Sequence, residues 1–576
     1  MKRTGRRQIE LSRRQEFILV LLLLGFGIFI RAFHFGMSPV GIHQDEAMTA
    51  VDALALSEYG TDRFGMRFPV HFTAWGGSQQ SALLAYCMVP FIKLFGFSTV
   101  TIRLPMLAVS SLGLLALYFL GKSLGDVRTG LLLQLSGVIC PWHYMQSRWS
   151  FDCNMFPHMF LFGVCFLLAG VGKKWMLYVS MVFFALCCYS YGVADYSVPL
   201  FLLAAAVYLL RRKLIRVTDL VVCLCVFTVL ALPEYLSMLL TVLGKESIET
   251  PLFTIPSFPE SFRGNDILLT NFSWGQLWQN IVSTVTVVWG NGDKSATNTI
   301  VRFGPVYYLT VVFFCIGLAV MAVRLYGNRG KRNKFVSADQ KDSLRKSRIM
   351  EINIMNEQKR LTYVVLLLWL FMGIWVGLIT REVTINRINV IFYAVLAIAA
   401  VGIEWCVERR KLLFIPIGAY YGVCALLFAV TYFGTWSDVS RIYYFDPYVQ
   451  ALEFAENIEC DTYFITPDPQ GEGVNAVGEI LTMYCHEIDA LYFQGLSSVQ
   501  NGRERLPFQE RYRFMDVTEE MIEENAGEAV VYLINSDSLH LFSEEKYDIT
   551  SFYDNYFVVV ERKAAALHSR IMPGGR

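Results

Sequence analysis

Long apolar stretches recur along most of the chain, from near its start to about residue 433. A run of about 20 apolar residues is long enough to cross a bilayer as one α-helix. The fold class predicted from this pattern is a polytopic α-helical membrane protein of about eleven spans. The predicted spans are Leu11–Ile30, 104–121, 129–146, 155–171, 175–191, 197–210, 216–233, 303–324, 361–379, 386–404 and 412–433.

The apolar segment Ser81–Phe97 is a possible twelfth span, and counting it would reverse the orientation of every later loop. The segment is short, and it contains Pro90 and Lys93. We therefore interpret it as an interfacial helix within one long external loop, residues 34–102.

Basic residues set the predicted orientation. Residues 1–16 carry six Lys or Arg, and residues 325–360 carry ten. With eleven spans, these segments and the other basic connections all fall on one side, which the positive-inside rule assigns to the cytoplasm. The prediction is a multi-pass protein of the cell membrane with a basic cytoplasmic segment 1–16, a transmembrane domain 17–435 and an extracytoplasmic region 436–576.

Composition narrows the class further. The chain is 54% hydrophobic and 17% charged, with a net charge of +1, which excludes a soluble globular protein and gives no reason to expect a nucleic-acid partner. The thirteen Cys lie mostly inside apolar spans, and their spacing matches no metal-binding pattern. We predict no metal site, and the pairing of Cys460 with Cys485 stays open.

The region after Trp436 is acidic, with 25 Asp or Glu against 10 Lys or Arg, and its pattern changes. Helix-like and strand-like runs alternate, separated by turns rich in Pro and Gly. The sequence therefore predicts a small extracytoplasmic α/β domain. The runs are Tyr448–Ile458, Thr462–Thr466, Val474–His486, Val530–Asn535 and Tyr556–Glu561.

Two adjacent carboxylates follow the first span, in the motif His43-Gln44-Asp45-Glu46-Ala47. The run Met48–Leu56 is compatible with a helix, which places the carboxylates at a helix start, where backbone N–H groups stabilise anions. A carboxylate that stays ionised can act as a general base. The alternative is an ordinary solvated loop.

A second candidate is the segment from Pro141 to Asp152, in which Arg148 and Asp152 stand among aromatic residues. It fits an aromatic belt with an Arg–Asp pair that anchors a helix end. It fits equally well a phosphate-binding arginine beside a second acid.

A third candidate is the turn between the ninth and tenth spans, which carries Arg381 and Arg387 on the predicted external side. Positive-inside statistics disfavour arginines there, and the guanidinium group matches phosphate oxygens well. A lipid phosphate explains both residues, whereas an ion pair with Glu382 explains one.

The order of these features resembles the GT-C membrane glycosyltransferases. The nearest branch is the bacterial family 39-like enzymes, related to protein O-mannosyltransferases and lipid A aminoarabinose transferases. The resemblance covers residues 17–435 in layout and is clearest over 31–165. Its motifs are His43–Ala47, then Ser98 with Ile102-Arg103-Leu104-Pro105, then Pro141-Trp142-His143, Ser147-Arg148 and Asp152.

The resemblance implies inverting transfer of a hexosyl or pentosyl unit from a polyprenyl-phosphate donor, with no other cofactor. It also implies roles for individual residues. Asp45 is then the general base, Glu46 and Asp152 are further catalytic acids, and Arg387 and Arg148 are ligands of the donor phosphate. Apart from these implied roles, we predict that His43, Gln79, Gln80 and Arg103 bind the substrate.

One departure concerns donor binding. Many relatives carry a Lys- and Pro-rich block where this chain reads Trp75-Gly76-Gly77-Ser78-Gln79-Gln80. The two glutamines suit either a sugar or phosphate ligand or the cap of the following helix. The competing function is a transporter or flippase of lipid-linked sugars. The sugar, the acceptor (glycan, protein or lipid) and the oligomeric state stay open.

Overall fold

The computed structural model describes residues 12–259, 272–293, 295–327, 343–469 and 476–562. The predicted cytoplasmic segment 1–16, the basic connection 325–360 and the C-terminal end of the chain therefore lie partly outside the described residues.

Nine helices within the described ranges are long and apolar enough to cross a membrane, judged by length and composition. Two shorter apolar helices, α5 (Val127–Ile139) and α8 (Lys174–Cys188), coincide with the two remaining predicted spans. The polytopic helical fold is thus confirmed. The nine are α1 (Arg13–Ala32), α4 (Thr99–Leu124), α7 (Met155–Gly170), α9 (Ala194–Arg211), α10 (Val217–Leu243), α12 (Leu309–Gly327), α13 (Ser343–Ile379), α15 (Ile391–Arg409) and α16 (Phe414–Phe433).

Burial differs strongly among these helices. Residues 391–403 of α15 are all buried, whereas α16 keeps most of its apolar side chains on the surface. A helix that is apolar on all sides suits either the centre of a bundle or contact with lipid. We therefore place α15 in the core of the bundle and α16 at its periphery.

Short elements occupy the connections at the predicted external end of the bundle. Segment 81–97 forms α3, which is 13 residues long. At 1.5 Å per residue it extends about 20 Å, and its interfacial position stays a prediction. These elements are α2 (Gln44–Tyr59), β1 (His71–Thr73), β2 (Gln79–Ser81), α3 (Leu83–Phe95), α6 (Pro141–Gln146), a 3₁₀ turn at Asp152–Asn154, β3 (Ile248–Glu249), β4 (Thr254–Ile255), α11 (Trp274–Trp289) and α14 (Ile385–Ile388).

The C-terminal region forms an α/β domain, as predicted. Its five-stranded sheet has the order β10-β11-β9-β5-β8, with β5 parallel to both neighbours and the other pairs antiparallel. Both Cys460 and Cys485 are free thiols. The elements are α17 (Thr435–Tyr443), α18 (Asp446–Glu456), β5 (Thr462–Ile465), α19 (Ala476–Cys485), α20 (Ala490–Phe493), β6 (Val499–Gln500), β7 (Arg503–Glu504), α21 (Phe508–Arg511), β8 (Tyr512–Phe514), α22 (Glu519–Glu524), β9 (Val530–Asn535), β10 (Tyr547–Phe552) and β11 (Tyr556–Glu561).

This domain packs directly on the segment 34–102, with α19 against α2. The backbone N–H of Ile42 donates to the carbonyl of Tyr444 at 2.8 Å. A side chain at Gly41 would meet that carbonyl at 2.3 Å, and Gly41 has φ +75°, so the position requires glycine. The start of the α/β domain and the segment that leads into α2 are therefore one packed unit.

Candidate functional site

Helix α2 begins at the acidic motif. His43 is the N-cap residue, and its Nδ1 accepts a hydrogen bond from the backbone N–H of Asp45 at 3.2 Å. The Glu46 carboxylate accepts the backbone N–H of His43 at 3.4 Å, which completes a capping box. Gly60, in the left-handed conformation, ends the helix. The helix start anticipated from the sequence is thus present.

Glu46 is completely buried and fully engaged. Its two oxygens accept hydrogen bonds from Nε and Nη2 of Arg103 at 2.8 and 2.7 Å, and Oε1 also accepts the backbone N–H of Ser150 at 2.8 Å. Arg103, also fully buried, donates further to the carbonyls of Pro39 and Gly41. In these positions Glu46 and Arg103 hold three segments together, and the catalytic role of Glu46 and the substrate-binding role of Arg103 stay predictions.

Asp45, the preceding residue in the chain, has the opposite environment. Its side chain is 42% exposed. Oδ1 accepts a hydrogen bond from the indole N–H of Trp75 at 2.9 Å, while Oδ2 lies 3.7 Å from Nδ1 of His43. Oδ2 accepts no hydrogen bond from the described residues. Asp45 is therefore a partly solvated carboxylate with one oriented oxygen and one open oxygen.

His43 lies beside both acids. Its ring packs against Phe151 at a centroid distance of 4.7 Å, and against Tyr444 and Phe445 at 6.0 and 6.1 Å. Burial lowers the pKa of His43, although both neighbouring acids act to raise it. Because Nδ1 accepts a backbone N–H, the ring is neutral. Its side chain is 15% exposed, so it forms a wall of the site at the base of α2.

Arg148 is fully buried under the segment 31–38. It donates to the carbonyls of Arg31, His34 and Ser38 and to the hydroxyl of Tyr432. These contacts hold Arg148 against the backbone of residues 31–38, and its predicted role as a ligand of the donor phosphate stays a prediction.

Asp152 stands half-buried at the start of the 3₁₀ turn, where Oδ1 accepts the backbone N–H of Cys153 at 2.7 Å. The thiol of Cys153 is within electrostatic range of Asp152, Asp45 and Asp293. The amide of Asn389 donates to the Cys153 carbonyl at 2.8 Å. The 3₁₀ turn thus lies next to the α14 turn, and Phe151, which precedes it, packs on His43 at the start of α2.

Asp293 is a site residue that the sequence did not identify. Its Oδ2 accepts the backbone N–H of Ile385 at 2.5 Å and the Asn298 amide at 3.0 Å, so it caps the start of α14. Burial raises the pKa of the Asp293 carboxyl above its usual range. The sequence Asn291-Gly292-Asp293 indicates a turn, but nothing in a loop of this length marks one acid for the site.

Arg387 lies on α14 and is half-buried. Its Nη1 donates to the carbonyl of Glu382 at 3.0 Å, and its other N–H groups have no partner among the described residues. The structure therefore places one arginine with free donors on the turn that Asp293 caps. Free donors of this kind suit a phosphate group, and the phosphate-binding role of Arg387 stays a prediction.

The two glutamines lie on β2 and tie it to neighbouring helices. The Gln79 amide donates to the Thr241 hydroxyl of α10 at 3.2 Å, and the Gln80 amide to the Thr49 hydroxyl of α2 at 2.5 Å. Gln80 is buried and Gln79 is half-buried. Neither caps the following helix, whose N-cap is Ala82 without a side-chain bond. Their observed contacts are structural, and their predicted role in substrate binding stays a prediction.

The acids and histidines of the site do not form a metal-binding cluster. Across the ranges that the structure covers, no group of three His, Cys, Asp or Glu side chains converges closely enough to hold a metal ion. The described residues offer an open carboxylate on α2, which can accept a proton, and an arginine with free donors on the α14 turn.

Two solved structures share the fold of this chain. One is ArnT from Cupriavidus metallidurans bound to undecaprenyl phosphate, with a TM-score of 0.51, 12% identity, and coverage of 95% of this chain and 98% of that one. The other is the apo oligosaccharyltransferase of Archaeoglobus fulgidus, with a TM-score of 0.50, 12% identity, and coverage of 93% and 73%. No protein-family model and no curated protein matches the chain. Both neighbours are GT-C membrane glycosyltransferases, so the chain has the GT-C fold.

Proposed function

We propose that this chain, which has the GT-C fold, transfers a sugar from a polyprenyl-phosphate donor to an acceptor at the outer face of the membrane, with inversion and with Asp45 as the general base. The observation that carries the proposal is the half-exposed Asp45 on the first turn of α2, with one oxygen oriented by Trp75 and the other open. The undecaprenyl phosphate in the ArnT structure supports the donor class.

The proposed reaction is a single displacement. The acceptor O–H bond breaks, and its proton goes to Oδ2 of Asp45. The acceptor oxygen bonds to the anomeric carbon while the bond from that carbon to the phosphate oxygen breaks. The electron pair leaves with the polyprenyl phosphate, whose charge Arg387 stabilises. One displacement from the opposite face inverts the anomeric configuration.

The orientation of the site relative to the membrane rests on the basic connections. In the proposed topology, α2, the 3₁₀ turn, α14 and the α/β domain all lie on the extracytoplasmic side. This is the side on which the acceptor would be a surface glycan, lipid or protein. Asp152 and Asp293 are further candidates for contact with the sugar or the acceptor, since Asp152 begins the 3₁₀ turn and Asp293 caps the neighbouring α14 turn.

The proposal is tested by mass spectrometry of surface glycans from cells that carry the wild-type chain, Asp45→Asn or no chain. Loss of a positioned base lowers the rate by about 10²- to 10⁴-fold, so the Asp45→Asn glycans should match those of the deletion. Asp438→Asn is the matched control, because Asp438 is an 82% exposed carboxylate on α17. Wild-type glycans in Asp45→Asn cells, at normal protein levels, would sink the assignment.

The transporter alternative predicts a different result from a reconstituted system. Purified wild-type chain in liposomes would then move a fluorescent polyprenyl-phosphate sugar between leaflets without consuming it. In the described structure the charged groups of the site gather at one end of the bundle, whereas transporters place substrate sites near the midplane. Translocation without sugar transfer would favour the transporter.

A further inference from the structure

The β1–β2 hairpin, residues 71–81, brings Trp75 to the candidate base. The indole N–H of Trp75 donates to Oδ1 of Asp45 at 2.9 Å, and the backbone N–H of Trp75 points at the Sδ of Met48 at 3.1 Å. Both contacts are to the first turns of α2. Trp75 is therefore fixed at two points relative to the helix that carries the base.

Among the described residues, Trp75 is the one side-chain donor to the Asp45 carboxylate. His43 is nearby, but its Nδ1 is occupied as an acceptor of the Asp45 backbone N–H, so it has no proton there to donate to the carboxylate. A carboxylate on a helix surface turns freely about χ2 unless a partner fixes it. The indole bond to Oδ1 therefore determines where Oδ2 points.

The base of the hairpin is held much more firmly than its tip. His71 uses both ring nitrogens, Nδ1 with the Gln80 carbonyl at 3.0 Å and Nε2 with the Glu234 carboxylate of α10. Further bonds tie both strands to α2, to α10 and to the buried Arg63–Asp52 pair. They are Gln79 to Thr241, Gln80 to Thr49, and Arg63 to the Thr73 carbonyl.

The tip beyond Trp75 is open. Gly76 and Gly77 are exposed, a Cβ at either position would have no heavy atom within 4 Å, and Gly77 has φ +76°. Ala74 and Ser78 close the turn with a 2.6 Å backbone bond. The two glycines let the chain reverse its direction beyond Trp75, and the hairpin thereby presents the Trp75 side chain to α2.

We propose that Trp75 is a positioning residue for the reaction: its N–H holds Oδ1 of Asp45 so that Oδ2 faces the acceptor hydroxyl. The inference rests on the proposed function. The hairpin base, tied to α10 through His71 and Glu234, fixes the height of Trp75 over the helix. Trp75 thus acts through Asp45 and does not itself exchange a proton.

The test compares Trp75→Phe with Trp75→His in membranes from cells that express each full-length chain. Phe keeps an aromatic ring but has no N–H, whereas His keeps a ring N–H that can donate to Asp45. The probe is undecaprenyl phosphate bearing the sugar that disappears from the glycans of Asp45→Asn cells, and the readout is release of undecaprenyl phosphate. Trp278→Phe is the matched control, since Trp278 is 66% exposed on α11.

Losing a hydrogen bond to a charged group predicts a fall in kcat of about ten- to a hundredfold for Trp75→Phe. The donor KM should stay within about twofold, because binding and transition-state contacts to the donor are retained. Trp75→His should restore most of kcat, because its ring N–H can again donate to Oδ1 of Asp45.

Two results would overturn the inference. One is an unchanged kcat in Trp75→Phe. The other is a raised donor KM at unchanged kcat, which would make Trp75 a platform for the sugar. Failure of the proposed function is recognised separately, because Asp45→Asn would then retain transfer. If Asp45→Asn is inactive while Trp75→Phe behaves as wild type, the positioning role alone is wrong.

Discussion

Asp45 and Glu46 are neighbours in the chain but belong to two regions that differ in one physical respect. The closed region comprises Glu46, Arg103, Ser150 and Arg148, and the open region comprises Asp45, Asp152, Asp293 and Arg387. Both contain carboxylates and arginine. In the closed region the charged groups are fully buried and bonded to one another or to carbonyls. In the open region Asp45 keeps one carboxylate oxygen, and Arg387 keeps several N–H groups, without a hydrogen-bond partner among the described residues.

The difference shows how one motif serves both framework and chemistry. Burying charges is costly unless each is paired and hydrogen-bonded, and the closed region meets that condition with a bidentate Arg103–Glu46 pair. This pair locks α4, the turn before α2 and the segment after α6 into one arrangement. Because these segments are held in place, the side chains of the open region also have fixed positions. Their hydrogen-bonding atoms can therefore stay available to a substrate.

The largest effect is expected when the closed region is broken. Arg103→Ala leaves Glu46 as an unpaired buried carboxylate, which costs about 3–5 kcal/mol of unfolding free energy. We expect a much lower yield of folded protein and a lower midpoint of thermal unfolding in detergent. Asp45→Asn, from the open region, is the comparison and should leave that midpoint within about 1 °C. Equal midpoints for Arg103→Ala and wild type would mean that the pair does not hold the framework.

A smaller effect, on binding and not on stability, is expected in the open region. Arg387→Ala removes a guanidinium group with free N–H donors, and a charge-assisted bond to phosphate corresponds to about a ten- to hundredfold change in donor KM. Arg381→Ala, from the same turn, is the matched control with an expected change below about threefold. The measurement is the donor dependence of undecaprenyl-phosphate release. Matching donor KM values for the two variants would remove Arg387 from the donor site.

The smallest effect is expected at His43, where the two regions meet. Burial lowers its folded-state pKa below 6.5, so its contribution to stability is complete above pH 6.5 and is lost as pH falls below that value. His43→Asn keeps a good N-cap, so it should cost no more than about 1 kcal/mol and remove this pH dependence. Hydrogen exchange of the α2 amides at pH 7 and pH 5, corrected for the intrinsic exchange rate at each pH, measures the loss of stability and its pH dependence. Equal protection of the α2 amides at pH 7 and pH 5 in the wild-type chain would contradict the predicted loss of stability at low pH.

How far the sequence predicts these regions depends on how local each feature is. The spans, the helix start at Gln44 and the strand β5 follow from patterns within a few residues, and the structure has them. The different environments of Arg148 and Arg387 do not follow from local patterns. Both residues come after an apolar span, and their environments differ because of contacts with residues that are distant in the chain. Arg148 is enclosed by the carbonyls of residues 31–38 and by Tyr432, which no local pattern encodes.

Asp293 and Trp75 were missed for the same reason. Asp293 is one acid in a long loop, and its role appears once Ile385 of the α14 turn is placed against it. Trp75 stands in a block that departs from the family pattern, but its bond to Asp45 depends on the register of a short hairpin that His71 and Glu234 secure. The roles of Asp293 and Trp75 depend on hydrogen bonds to residues that are distant in the chain, and residue type alone does not reveal them.

The bond between Ile42 and Tyr444 has a consequence for the biosynthesis of the protein. The ribosome makes Asp45 early, but Tyr444 and Phe445, which wall the site around His43, come after the last span. A nascent or prematurely ended chain therefore has Asp45 and Glu46 but lacks the aromatic residues that pack around His43 in the full-length protein. If the proposed function is correct, transfer therefore requires a chain that extends at least through Phe445.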